Sequence, residues 1–258
     1  MRNWTVLIAL LLLMFFSRCQ TCSHSGREQI ARRNDSSVTS RHSERKEKRT
    51  MTRTHDNPVV TSPTIAGSTK TMDGSEIFEK YNSAVFMVYT SNGWNDYQGS
   101  GFFISDDGVA VSNYHVFQGT SIGYEKIKMS DGRICKIEEV IAKNSDDDII
   151  VFRVKSGGRK FNCVPIAKQS PKVGEKVFAI GSPRGLENTF SSGEISQIRD
   201  NNYLQISVPI DHGSSGGVLL NTKGEAVGIT SAGLDSSGAN LNFAIDIKVL
   251  RKYVRFSN

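Results

Sequence analysis

Between Ala84 and Ile245 the chain is cut into short apolar runs, each closed by a turn signal and almost none long enough for a helix. That punctuation admits strands and little else. The runs fall at residues 84–89, 101–105, 109–112, 122–129, 134–142, 149–154, 176–180, 193–198, 203–208, 218–220, 226–231 and 241–245. Asp106-Asp107-Gly108 is a hairpin signal between two of them, and residues 91–96 read as a polar loop. Helical spacing is confined to the two ends: a short opening helix at 74–81, and residues 247–254, where Ile247, Leu250, Tyr253 and Val254 share one side. Many short strands, abundant glycine and few helices predict an all-β barrel or sandwich with a short C-terminal helix.

The first part of the chain does not read as folded. Residues 4–16 are an apolar run behind Arg2, too short for a bilayer span of roughly 20 residues. The run fits the core of an export signal, with an uncleaved signal anchor as the alternative, so residues 1–21 are assigned to one or the other. Lipid modification at Cys19 is disfavoured by Arg18 just before it. Residues 22–72 are rich in Ser, Thr and Arg and poor in large apolar side chains. Such a stretch cannot bury enough surface to offset its ordering entropy and is expected to be a disordered linker. The formal charge of +6 divides unevenly: residues 1–72 hold 12 Lys and Arg against 5 Asp and Glu, and residues 73–258 hold 20 against 21. The basic excess thus belongs to the tail, and the folded part carries no nucleic-acid footprint. Cys135 and Cys163 are its only cysteines; a disulfide and two free thiols are both open.

Gly213-Ser214-Ser215-Gly216-Gly217 lies between apolar strands, with a histidine, His115, and an aspartate, Asp148, upstream. A serine hydroxyl is a weak nucleophile until a base within hydrogen-bond reach takes its proton and a third group orients that base. Ser215 is the candidate nucleophile and His115 the candidate base; His24, His42 and His55 lie in the tail, and His212 is too close to the serine to serve easily. Asp148 abuts the run 149–154 and is the first candidate for the orienting carboxylate, with Asp147 second. The amides of Gly213 and Ser215 are placed to stabilise a developing oxyanion.

These segments resemble the trypsin-like serine peptidases, in the HtrA/Deg-like branch. The resemblance is carried by six ordered blocks: 99–104 (GSGFFI), 111–116 (VSNYHV), 148–151 (DIIV), 179–186 (AIGSPRGL), 213–217 (GSSGG) and 241–245 (LNFAI). It implies a trypsin-like protease domain over 73–258, built as two six-stranded antiparallel β-barrels of the chymotrypsin type with the site between them. It assigns His115, Asp148 and Ser215 as the catalytic triad. Ile210 and the strand Thr230-Ser231-Ala232 match positions that line the primary specificity pocket. No acidic residue stands at the pocket base, so cleavage after small or medium aliphatic residues is expected. The sequence departs from the family at Ser214, where Asn is usual, and ends at Asn258, which leaves no room for a C-terminal PDZ module.

The reading is an exported serine endopeptidase, periplasmic or in the cell envelope, membrane-anchored or secreted, acting on unfolded or exposed polypeptide through an acyl-enzyme. It needs no metal or organic cofactor. The N-terminus offers a membrane tether, and the resemblance implies a trimer, although residues 64–81 are too generic to carry that. The rival reading is a protease-fold binding protein whose site is silent or latent.

Overall fold

The structure is a computed structural model that describes residues 59–60, 70–120, 123–182, 188–234 and 241–256, with the side chains of 201 and 232–234 left aside. The export segment 1–21, most of the linker, Asn258 and the 183–186 end of the fourth motif block lie outside the described residues.

Helix α1 (Gly74–Tyr81) starts where a capping box can form. Asp73 accepts from the Glu76 amide at 2.9 Å while the Glu76 carboxylate accepts from the Asp73 amide at 2.9 Å, which satisfies two N-terminal donors at once. The strands then build two halves. The first half is a seven-stranded sheet made of β2 (Val85–Ser91), β3 (Asp96–Phe103), β4 (Val109–Ser112), β5 (Lys126–Met129), β6 (Ile134–Cys135), β7 (Ile137–Asn144) and β8 (Ile149–Val154). Its order is β6-β5-β2-β3-β4-β8-β7. The second comprises β9 (Lys176–Gly181), β10 (Thr189–Ile198), β11 (Tyr203–Ile206), β12 (Val218–Asn221), β13 (Ala226–Leu234) and β14 (Leu241–Asp246). These six close into a barrel in the order β10-β11-β14-β13-β12-β9.

In the first half the edge strands β6 and β7 are separated only by Lys136, so the sheet must curl until its two edges meet. Counting β6 and β7 as one strand broken at Lys136, each half has six strands, and the two-barrel architecture stands. The first barrel differs in having a seam that no strand ladder closes among the described residues.

Burial explains why β4 and β8 read as unbroken apolar runs. Val109, Val111, Ile149 and Val151 join the core that fills the second barrel, whereas Ala110, Ile150 and Phe152 fill the first with Phe86, Phe103 and Phe161. A strand covered on both faces has no position at which a polar side chain is solvated. These two strands end at the site: His115 follows β4 and Asp148 precedes β8.

One feature departs from the sequence reading, and two refine it. Within the segment assigned to the linker, β1 (Val59–Val60) pairs in parallel with β15 (Arg255–Phe256), and Val60 is 2% exposed. The Met72 amide also donates to Thr222 O at 2.7 Å, so the folded unit reaches upstream of residue 73 at these points. The C-terminal helix, Ile247–Lys252, is of the 3₁₀ type, and the Asp246 side chain caps it by accepting from the Lys248 amide. Cys135 and Cys163 are free thiols, both half-buried. Burial, followed by the charges of Asp106 and Asp107, pushes the Cys163 thiol up to about 11.

Candidate active site

His115 sits on a 3₁₀ turn, Tyr114–Phe117, one residue beyond the end of β4. Its ring Nδ1 lies 2.8 Å from Asp148 Oδ2, and its backbone N–H donates to Asp148 Oδ1 at 2.8 Å. The Asp148 carbonyl also accepts, from the Tyr114 amide at 3.1 Å and from Asn113 Nδ2 at 3.1 Å. One aspartate therefore holds the whole turn, and it does so from the left-handed region at φ 50°, which Asp tolerates through its short polar side chain. The imidazole is 41% exposed and the carboxylate 16%, so the pair is reached by solvent from the histidine side.

The geometry separates the three adjacent aspartates. Asp147 turns away from the histidine and accepts from the Tyr253 hydroxyl and, at 2.9 Å, from Lys252 Nζ. Burial raises the Asp147 carboxyl, but the Tyr253 hydrogen bond and the Lys252 ammonium outweigh it and hold the group below its ordinary 3.8. A folded value depressed in this way stabilises the fold above the unfolded pKa and loses that contribution as pH falls through the folded value. Asp147→Asn is accordingly expected to lower stability by about 1–2 kcal/mol at neutral pH. Urea unfolding should find the deficit shrinking to nothing in strong acid; a deficit independent of pH would contradict this account. Tyr203 on β11 has its phenol raised by burial and then by the carboxylates of Asp148 and Asp147.

The Ser215 loop is two consecutive turns. The Ser214 amide donates to Asp211 O at 3.0 Å and the Gly217 amide to Ser214 O at 3.0 Å. In each turn the third residue alone has positive φ, Gly213 at 94° and Gly216 at 88°, which is the type II pattern that only glycine adopts freely. Among the described residues the amides of Gly213 and Ser215 donate to nothing, while the intervening Ser214 amide is occupied.

Sequence reasoning missed what holds this loop. Ser100, fully buried on β3, donates from Oγ to Gly213 O at 2.7 Å and accepts from the Ser182 amide at 2.9 Å. Its amide donates to Ser215 O at 2.8 Å, and its carbonyl accepts from Ser112 Oγ at 2.7 Å. Ser100 thus ties the first barrel, the loop and the exit of β9 together. The only sequence signal was a small polar residue between two glycines just before an apolar run. The same docking brings Ser215 beside the histidine turn. A Cβ on Gly99 would meet Val116 Cγ1 at 2.6 Å on one side and Ser215 O at 3.1 Å on the other. No hydrogen bond joins Ser215 to His115 among the described residues.

Of the residues matched to the specificity pocket, Ile210 is half-buried against the core and Ser231 lies on β13 opposite Phe243. Ala232 is on the same strand, with its side chain outside the description. Thr230 is only 1% exposed, and its hydroxyl donates to Ser214 O at 2.6 Å. His212 is exposed on the loop, and its amide donates to Asp211 Oδ1 at 2.7 Å.

Comparison with known proteins bears on the family and the fold. Residues 99–229, half of the chain, match the family model of the trypsin-like peptidase domain. Among curated relatives, a probable periplasmic serine endoprotease DegP-like from Rhizobium meliloti is 38% identical over 158 residues, covering 58% of this chain and 31% of that protein. The Xenopus laevis serine protease HTRA1 is 32% identical over 171 residues, covering 62% and 36%. The chloroplastic protease Do-like 5 of Arabidopsis thaliana is 30% identical over 200 residues, covering 69% and 62%. The chain therefore spans about a third of the length of the first two and less than two thirds of the third. A crystal structure of the serine endoprotease from Yersinia pestis superposes with a TM-score of 0.63 at 28% identity, covering 70% of this chain and 65% of that one. The chain belongs to the trypsin-like peptidase domain family, in its HtrA/Deg-like branch.

Proposed function

We propose that the chain is a serine endopeptidase that cleaves unfolded or exposed polypeptide through an acyl-enzyme. The observation that carries this reading is the double grip of Asp148 on His115, by ring and by backbone, facing a loop whose Gly213 and Ser215 amides are unspent. Asp148 accepts a hydrogen bond from Nδ1–H, so Nε2 presents its lone pair to the Ser215 hydroxyl. Ser215 Oγ attacks the scissile carbonyl as His115 takes its proton, and the tetrahedral oxyanion rests on the Gly213 and Ser215 amides. His115 then protonates the leaving amine, and water repeats the sequence to release the acyl group. The Ser–His hydrogen bond forms in the substrate complex, as catalytic contacts in unliganded enzymes commonly do. The pocket wall supplied by Ile210 and strand β13 holds no carboxylate, which favours a small or medium aliphatic residue before the cut bond.

An exported location fits the N-terminal apolar run and the name of the Rhizobium meliloti relative. Membrane tethering through the N-terminus and assembly as a trimer belong to the same proposal.

A fluorophosphonate probe applied to the full chain tests the reading. Labelling is expected at Ser215 alone, absent in Ser215→Ala and slowed at least about a thousandfold in His115→Ala. A folded wild-type chain that takes no label would instead indicate a protease-fold protein that binds without turnover or waits for a trigger.

A further inference from the structure

The peptide unit between Ser214 and Ser215 carries both the carbonyl held inside the protein and the amide left for the oxyanion. In a trans peptide the C=O and N–H point in opposite directions, so whatever fixes one aims the other. The Ser214 carbonyl accepts from Thr230 Oγ1 at 2.6 Å and from the Gly217 amide at 3.0 Å. Both donors lie on the side of the second barrel, and the Ser215 amide is thereby turned away from it, towards the groove.

The surroundings leave Thr230 little freedom. It is 1% exposed, its amide donates to Gly217 O at 2.9 Å, and its carbonyl accepts from the Gly216 amide at 2.8 Å. Gly217 keeps the approach clear: a Cβ there would meet Thr230 Oγ1 at 2.9 Å, Ser214 O at 3.0 Å and Ile180 O at 2.6 Å. Ser214, buried at 7%, makes no side-chain hydrogen bond of its own among the described residues. The residue before the nucleophile thus supplies no brace, and a hydroxyl on a different strand does.

We propose that Thr230, which the sequence placed in the pocket wall, is a positioning residue: its hydroxyl, through the Ser214 carbonyl, aims the Ser215 amide at the substrate oxyanion. This rests on the peptidase reading, and its consequence is specific to the transition state. An amide that swings out of line costs little while substrate binds and most when the carbonyl oxygen becomes charged.

The test compares the full-length wild type with Thr230→Val, which keeps the branched shape without the hydroxyl, and Thr230→Ser, which restores the hydroxyl alone. Inhibition by a peptidyl boronate, whose tetrahedral adduct occupies the oxyanion site, is read beside kcat and KM for the matching peptide. The Ser215 amide resonance of the unliganded protein is read in parallel by ¹⁵N NMR. For Thr230→Val, boronate affinity and kcat are expected to fall about 10–100-fold with KM nearly unchanged and the Ser215 resonance displaced; Thr230→Ser returns all three towards wild type. Unchanged boronate affinity with an unmoved resonance would overturn the proposal. So would a parallel loss in KM and kcat that Thr230→Ser does not rescue. A wild type that neither turns over nor binds boronate would sink the peptidase reading, and the amide resonances of the three proteins would still decide whether Thr230 aims the peptide.

Discussion

Asp148→Asn is expected to lower kcat by about 10⁴ while leaving the protein folded and KM close to wild type. The size follows from which way the new amide must face. The His115 backbone N–H donates to one carboxylate oxygen at 2.8 Å, and the ordered turn keeps that donor opposite an acceptor. The asparagine oxygen therefore stays opposite that N–H, and its NH₂ is forced towards His115 Nδ1, 2.8 Å from the other oxygen position. An NH₂ donates to Nδ1, so the proton moves to Nε2, and the nitrogen facing Ser215 can no longer accept. Asparagine also tolerates the left-handed φ of 50° at this position, so the fold should survive. Steady-state kinetics beside a thermal unfolding curve check both halves, and a loss below about tenfold in a folded variant would contradict the assigned role of Asp148.

Gly216→Ala should abolish measurable turnover, by at least about a hundredfold, and lower stability by about 2–4 kcal/mol. Gly216 holds φ at 88°, and a Cβ would be driven into Ser100 O and Ser112 Oγ, which are already hydrogen-bonded to each other. Neither can yield: one is backbone of β3 and the other donates to it. The loop must lift instead, carrying Ser215 and its amide with it. Gly93→Ala is the matched control, with nearly the same φ, 89°, and nothing within 4 Å of the added carbon. It should cost about 1 kcal/mol and no activity. Equal activity in the two variants would mean that docking of the loop on Ser100 does not position the nucleophile.

What could be read in the chain depended on how local the cause was. The capping pair Asp73 and Glu76 makes α1 legible, and two-sided burial makes β4 and β8 legible as continuous apolar runs. Asp96 reads as the end of the polar loop, and residues 97–100 fall outside the apolar runs, because Gln, Gly and Ser are poor strand formers. Their pairing with β2, from Ser91 with Asp96 through Val88 with Gly99, overrides that preference. The break of β6 and β7 at Lys136 coincides with register shifts along β7, which depend on its partner and leave no trace in its own sequence. At the site, the residue types of the His115–Asp148 pair were readable, and adjacency to the run 149–154 ranked Asp148 before Asp147, but nothing local showed what each would bind. Adjacent identical side chains differ only in φ and in partners that lie a hundred residues away at Lys252 and Tyr253. The hydroxyls of Ser100 and Thr230 were invisible as braces, since each reaches a carbonyl that only the closed fold brings near.

The seam of the first barrel bears on how the protein behaves in company. Strands β6 and β7 leave backbone donors and acceptors without a ladder partner on their outer sides, and Ile134 and Val140 are exposed there at 56% and 46%. An edge of that kind is a template onto which a strand from another molecule can add. Lys136 at the break, with Glu138, Glu139 and Lys143 along β7, puts charges on the edge where an incoming strand would have to lie flat. The break that leaves this seam without a ladder among the described residues thus also carries charges that oppose strand addition there.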